Sequence, residues 1–388
     1  MSGPAAAGAA PAGKARPLSQ IYRDLGESEA AESSPLYGRI AVALSESAEA
    51  LRAVEAAPVR KRHPALILAA LHDLALAGRA PALAEAYEAA VSAEVGEERG
   101  RGEVAVATAL DTLCRMTDEV VALAVRRRLP PRHRETGHCA VLYPAIAEAA
   151  HRCGARAVGL IDVGCSAGLN LNVDRVGIAY SNGQALGDLS SPVRISASVV
   201  GERPLPTRKF PQVVARIGID REPLDVTGAE DARWLRACLP PDQLRLPERG
   251  GRLDAEMELV STAPPLLLRG DPVTLLSDAL ARVPADALPV VVSTWELSRF
   301  SHERRLRFVR RLEEAAAERA VAWVPVEGVG VAPHIPTLGD RPASGHSTIG
   351  LAMFERSVAD PPYVSPTAEA LGRCWSRGRL LSWLVDSR

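Results

Sequence analysis

The stretch Leu160-Ile161-Asp162-Val163-Gly164-Cys165-Ser166-Ala167-Gly168-Leu169-Asn170 decides the fold of this chain. The apolar run from Ala157 to Val163 predicts a strand buried on both faces, and it enters a turn that holds two glycines. Gly164 and Gly168 permit positive φ and let a ligand approach bare backbone. In doubly wound sheets such a turn stands at the carboxyl end of the first strand, where ligands bind. The acid at the strand end, Asp162, suits a cationic or hydroxyl-bearing ligand and not a phosphate. No Lys-Ser or Lys-Thr follows the glycines, which argues against a phosphate-cradling P-loop.

Downstream of this turn, strand and helix signals alternate. Val213 to Ile219 ends in Asp220; Pro265 to Leu268 runs into Arg269-Gly270-Asp271; Pro289 to Val292 enters Ser293-Thr294-Trp295-Glu296. Val321 to Val326 is a further strand, and Thr348 to Phe354 and Leu380 to Leu384 are two closing ones. Between them, Ser301 to Arg319 is amphipathic through Leu306, Phe308, Val309 and Leu312. Apolar strands that alternate with helices predict an α/β domain with a Rossmann-like, seven-stranded, mostly parallel sheet.

Upstream the texture is helical. Pro35 to Arg52, Pro64 to Leu74 with Gly78 as its stop, Pro81 to Val95, Glu103 to Arg128, and His138 to Arg152 with a kink at Pro144 all read as helices, and no strand precedes Ala157. Residues 1–16 are Ala/Gly/Pro-rich and read as a disordered tail. The expected division is therefore that tail, an all-helical N-terminal domain over 17–152, and a nucleotide-binding domain over 153–388. An insertion near 176–211 separates the first two strands, and Asn182-Gly183 within it predicts a hairpin.

Bulk composition narrows the partners. With 46 basic and 47 acidic residues the net charge is -1, which lacks the basic excess that meets nucleic-acid phosphates. Arg126 to Arg128 and Arg304 to Arg311 lie on helices and read as solvated faces. The six cysteines form no CxxC pair or metal-binding cluster, which suits a reducing cytoplasm and predicts no metal site. No apolar stretch has the roughly 18 to 20 residues that a membrane span needs. A small-molecule substrate is the expected partner, and oligomeric state is left open.

Candidate site residues follow from position. A carboxylate at the end of the second strand, Asp220, can accept both ribose hydroxyls of a nucleoside. Asp271, after the next strand, can accept from an adenine amino group, although an acid there is also a common helix cap. Glu296 and Trp295 follow the fourth strand, where Trp295 can stack on a ligand. His72 on an apolar helix reads as a satisfied core histidine, and His302 stands at a helix start beside Glu303. A competing chemistry is written in the same turn: Gly164-Cys165-Ser166-Ala167-Gly168 spells the G-x-S-x-G nucleophile elbow of serine hydrolases, with His302, His334 or His346 available downstream.

Asp162-Val163-Gly164-x-x-x-Gly168 resembles the first motif of class I S-adenosylmethionine-dependent methyltransferases. Gly218-Ile219-Asp220-x-x-Pro223 resembles their second motif, and Gly270-Asp271 their third. Ser166 stands where the middle glycine is usual. The resemblance implies S-adenosylmethionine as cofactor, held by Asp162, Gly164, Ser166, Gly168, Asp220, Asp271 and Trp295. It implies methyl transfer to a small-molecule acceptor, with Glu296 and Glu135 as the catalytic candidates. Glu135 and His138 then belong to a helical lid. The alternatives are a protein that binds this cofactor for another reaction or without catalysis, and a serine hydrolase with Ser166 as nucleophile.

The whole chain is also similar to a bacterial domain-of-unknown-function family, number 2332. The matching segments include Ser34-Pro35-Leu36-Tyr37, the helix Leu66 to Leu74 with His72, Glu135 to Pro144, Val163 to Leu171, Ser191-Pro192-Val193-Arg194, Arg233-Trp234-Leu235-Arg236 and Gly270-Asp271. Two positions depart from the pattern. Arg134 replaces the usual Asn before Glu135, and Arg377-Gly378 replaces a usual His-Gly pair.

Overall fold

A computed structural model describes residues 16–28, 34–92, 98–128, 136–356 and 364–386. The tail over 1–15, Arg134 and Glu135 lie outside the described residues. Two compact units emerge. One comprises 1–129 with 236–246; the other comprises 130–235 with 247–388. The expected boundary at 152/153 therefore moves to 129/130, and a short later segment joins the first unit. The reason is packing: the helix Cys139–Arg152 is apolar almost all round, and its residues from Cys139 to Ala150 are buried in the core of the sheet unit.

The first unit is helical throughout its described residues: α1 Leu18–Gly26, α2 Pro35–Glu46, α3 Ala48–Glu55, α4 Pro64–Leu76, α5 Pro81–Val91, α6 Glu98–Arg115 and α7 Thr117–Arg126. No described residue before Ala157 is in a strand. Two expected helices are each split. Pro35 to Arg52 breaks at Ser47, whose hydroxyl accepts the Ala50 N–H at 3.2 Å and so starts α3. Glu103 to Arg128 breaks at Met116. Gly78 follows α4 at φ 69°, a left-handed position that a side chain would strain.

In the second unit α8 (Cys139–Arg152) continues through Pro144. After α9 (Ala229–Ala237) the chain contributes the short α10 (Pro241–Leu244) to the first unit, and α11 (Arg252–Thr262), α12 (Pro272–Ala281) and α13 (His302–Ala316) belong to the second. The strands are β1 Ala157–Val163, β2 Gly177–Tyr180, β3 Ala185–Gly187, β4 Arg194–Val199, β5 Gln212–Asp220, β6 Leu266–Arg269, β7 Leu288–Thr294, β8 Val321–Gly328, β9 Ser347–Arg356, β10 Val364–Trp375 and β11 Leu380–Trp383. They form one sheet in the order β3-β2-β4-β11-β10-β9-β8-β7-β1-β5-β6. Six of the ten pairings are parallel, so the sheet is mostly parallel as expected.

The strand count is a correction. The sheet has eleven strands, not seven. Three of the four extra ones, β2, β3 and β4, lie in the expected insertion. They extend the same sheet through β11, with the β2–β3 hairpin turning at Asn182-Gly183. The fourth, β10, pairs along its length with β9. Side chains alternate between two cores. Val158 and Leu160 of β1 face α8, while Ile161 and Val163 face α12 and α13. Helices thus cover both faces, and the ligand-accessible parts of the strands are their ends. Among the described residues no single helix is long and apolar enough to cross a membrane.

Candidate functional site

The strands β6-β5-β1-β7-β8 are mutually parallel, and their order reverses between β1 and β7. At such a reversal the connections leave on opposite faces, so a crevice opens beyond the carboxyl ends. One wall of it is the turn after β1; the other is Thr294-Trp295-Glu296 after β7. The hydrogen bonds of the first wall fix its shape. The Gly164 N–H donates to Ile219 O at 2.8 Å, and the Gly168 N–H to Cys165 O at 2.8 Å.

Backbone strain concentrates on this edge. Five non-glycine residues among those described have left-handed φ: Ser166 (53°), Trp295 (54°), His334 (68°), Leu338 (57°) and Ser376 (44°). They lie in the connections that follow β1, β7, β8 and β10. β10 runs parallel to β8 because both are antiparallel to β9, so all five stand at one edge of the sheet. Each such residue costs on the order of 1 to 3 kcal/mol, and outliers of this kind cluster at functional sites.

The expected residues are brought together unevenly. Asp162 is buried; Asn170 Nδ2 donates to its Oδ2 at 3.4 Å, and Oδ1 has no hydrogen-bond partner among the described residues. Burial pushes its carboxyl up to about 7, the Asn170 amide opposes this, and the charges of Asp220 and Glu296 add to it. Asp220 accepts the Ser166 N–H at 3.1 Å and the Glu222 N–H at 2.9 Å, so it ties the β5 turn to the β1 turn. Glu296 lies directly over Gly164, where an added Cβ would meet its Cγ at 2.7 Å and its carboxylate at 2.9 Å. Gly168 instead faces Pro265 and Leu267.

Asp271 is engaged elsewhere. Its Oδ1 caps α12 by accepting the Val273 and Thr274 N–H groups, and its Oδ2 meets Arg304 at 2.6 Å and Arg221 at 3.1 Å. Against the upward push of partial burial, the Thr274 N–H, Arg304 and the Val273 N–H hold this carboxyl below the usual range. The helix-cap reading therefore accounts for it. At α13 the cap is Ser301 and not His302. His72 donates from Nδ1 to Leu239 O at 2.9 Å inside the helical unit, as a core histidine does.

Other residues complete the rim. The Trp295 indole N–H donates to the Ser347 hydroxyl at 2.7 Å, and its ring lies 4.9 Å from that of the buried His138. His346, beside Ser347, pairs with Asp340 at 3.0 Å, and Asp340 also takes Arg373 at 2.7 Å. The Trp375 ring lies 5.5 Å from His346. Glu327, at the end of β8, is buried, with Oε1 accepting the Leu297 N–H at 3.1 Å and Oε2 without a partner within hydrogen-bond geometry among the described residues. Burial pushes it up to about 8, the Leu297 N–H and the Ser293 hydroxyl oppose this, and Glu296 adds to it. Glu327 is an acid at a strand end like Asp220, so the same rule would have found it.

Beside the β1 turn, a cleft of about 410 Å³ opens along β5 and β6, lined by Ala167, Leu224, Val260, Leu267, Asp231 and Arg269 among others. The Cys165 thiol is buried, and desolvation holds it well above its ordinary value, which favours the protonated thiol over the thiolate. Among the described residues no group of His, Cys, Asp and Glu is placed to hold a metal ion. Chemically, the edge offers strained backbone, an aromatic face and carboxylates that repel one another until a cation or proton joins them. No curated protein and no solved structure matches the chain. Residues 19–383 match the family described as uncharacterized protein conserved in bacteria (DUF2332), and the chain belongs to that family.

Proposed function

We propose that this protein binds S-adenosylmethionine at the β1–β7 crevice and transfers its methyl group to a small-molecule acceptor, on a Rossmann-like domain of the class I methyltransferase type. The observation that carries the reading is the strained edge: Ser166 and Trp295 hold left-handed backbone on the two walls of a strand-order reversal. The charge of the walls supports the choice of ligand. The charges of Asp220 and Glu296 add to the raised proton affinity of Asp162, and a sulfonium with an α-ammonium group relieves that repulsion. The cofactor supplies an electrophilic methyl group; the acceptor's displaced proton needs a carboxylate, for which Glu296 is the placed candidate. The cleft beside Ala167 and Leu224, with Thr227, Asp231 and Arg269 as its polar lining, is the space that this reading offers the nucleoside.

Calorimetry with S-adenosylmethionine and S-adenosylhomocysteine tests this. The sulfonium form should bind more tightly than the neutral thioether, and Asp220→Asn should weaken both by about tenfold, the loss of one charge-assisted bond. Absence of binding by either ligand at millimolar concentration would overturn the proposal.

A second reading has one observation in its favour: Ser166 at φ 53° on a strand-to-helix turn is the backbone of a nucleophile elbow. The turn leads into a 3-10 stretch, Leu169–Arg175, and not into the α-helix that an elbow requires. Covalent labelling of Ser166 by a fluorophosphonate would decide for a hydrolase.

A further inference from the structure

The connection from β8 to β9 brings a histidine to a carboxylate at the sheet edge. The His346 side chain is 5% exposed, and its Nε2 lies 3.0 Å from Asp340 Oδ2. The same oxygen accepts the Arg373 Nε–H, from β10, at 2.7 Å. The chain turns sharply to build this pair: Leu338, Gly339 and Gly345 have left-handed φ of 57°, 80° and 72°. Leu338 is 50% exposed, so burial of its side chain does not offset that strain.

The pairing fixes where the imidazole carries its hydrogen. Hydrogen bonds from Arg373 and His346 hold the Asp340 carboxyl below its usual range, against desolvation, so it is an anion that only accepts. Nε2 therefore donates, and the neutral ring keeps its lone pair on Nδ1. That atom makes no hydrogen bond among the described residues, yet it retains contact with solvent, unlike Oδ1 of Asp162 and Oε2 of Glu327. His72 differs, since its Nδ1 is spent on Leu239 O. The half-buried Trp375 places an aromatic ring 5.5 Å from that of His346, and Ser376 after it is left-handed at φ 44°. Ser347, the next residue in the chain, accepts the Trp295 indole N–H, so the pair borders the β7 wall of the crevice.

We infer that His346, positioned by Asp340, is a proton acceptor whose Nδ1 takes the proton of a hydroxyl on the acceptor molecule. The ligand's O–H bond breaks, the proton joins Nδ1, and the electron pair stays on the oxygen, which becomes the nucleophile. The choice of a hydroxyl rests on the methyl-transfer reading. A carboxylate has no proton to give up, and an amine sheds its proton after it has attacked; an alcohol or phenol needs a base beforehand. His346 is thus a neutral base in addition to Glu296, an anion with Arg299 3.5 Å away.

Nitrogen NMR of the full chain at pH 8 should show His346 with its hydrogen on Nε2 and a bare Nδ1. Diethyl pyrocarbonate, which attacks an imidazole lone pair, reads the reactivity of that atom by site-resolved mass spectrometry. His346 should be modified at a rate within about threefold of that of the exposed His302. Asp340→Asn, whose amide can donate to Nε2, should slow His346 about tenfold and leave His302 unchanged. In fluorine NMR, 4-fluorophenol should bind about fivefold more tightly than 4-fluoroanisole, and His346→Phe should remove the difference. Unchanged thermal midpoints show that the variants fold. A hydrogen on Nδ1 in the wild type would overturn the inference, as would a His346 as inert as the buried His72 or equal rates in wild type and Asp340→Asn. So would the absence of a preference for the phenol, or no binding of either fluorinated probe at millimolar concentration. None of these readouts needs the cofactor, so a failure to bind S-adenosylmethionine would sink the methyl-transfer reading separately.

Discussion

Asp162→Asn should stabilise the protein increasingly as the pH rises. The side chain is 1% exposed, and its carboxyl is pushed by burial from 3.8 to about 7. The unfolded chain releases this proton near 3.8 and the folded chain near 7. Below 3.8 both states hold it, and the carboxyl costs nothing. Between the two values the unfolded state holds fewer protons, so stability falls as the pH rises. At 1.36 kcal/mol per pH unit the cost is on the order of 1.5 kcal/mol at pH 5 and about 4 kcal/mol above pH 7. Asparagine keeps an oxygen for the Asn170 amide but places an NH2 group where Oδ1 has no partner. That penalty, about 1 to 3 kcal/mol, is the same at every pH. The pH-dependent part is isolated by urea unfolding of both proteins at pH 5 and pH 8. The stability of the variant relative to wild type should rise by about 2 to 3 kcal/mol between them. A relative stability that is equal at the two pH values would refute the argument that Asp162 folds as a proton-holding acid.

Two further substitutions probe the turn. Gly164→Ala meets a left-handed φ of 79° and the Glu296 side chain 2.7 Å away; it should cost about 1 to 3 kcal/mol in chemical unfolding, and Glu296→Ala should recover only the contact part. Arg216 on β5 holds Asp174 with two 2.7 Å bonds and also donates to Leu171 O, pinning the 3-10 stretch behind the turn. Arg216→Ala should therefore cost about 2 kcal/mol and speed amide exchange across Leu169–Arg175, whereas no change in exchange there would assign the pair a surface role only.

How much of this was legible depended on what each segment buries. β1, β7 and β8 are buried on both faces and stand as continuous apolar runs, so periodicity and flanking turns located them. β10 was hidden because Ala368-Glu369-Ala370-Leu371 favours helix and Pro366 and Gly372 interrupt a strand. It is extended because β9 and β11 pair with it from both sides, a tertiary effect with no local signature. β2 and β3 are too short to show a period. At the site, an acid at a strand end identified Asp220 and would have identified Glu327. The same rule misled at Asp271, where the following Pro272 marks the start of a helix and the carboxylate serves as its cap. His346, Asp340 and Arg373 meet only through the long connection after β8, and no sequence spacing reveals that.

The features that cost stability at the sheet edge are the ones that make it suited to a ligand. Glycine at positions 166 and 295 would relieve left-handed backbone, and amides at 162 and 327 would avoid buried acids held near neutrality. Ser166, Asp162 and Glu327 belong to neither core cluster, whereas the Trp295 ring also packs against the core under α8. Packing therefore does not account for Ser166, Asp162 or Glu327, nor for the left-handed backbone of Trp295. Their common position does: each stands where the β1–β7 reversal, or the strand beside it, releases the chain from the sheet. There a low dielectric strengthens every charge, so Asp220 and Glu296 raise the proton affinity of Asp162 more than the same charges would in water.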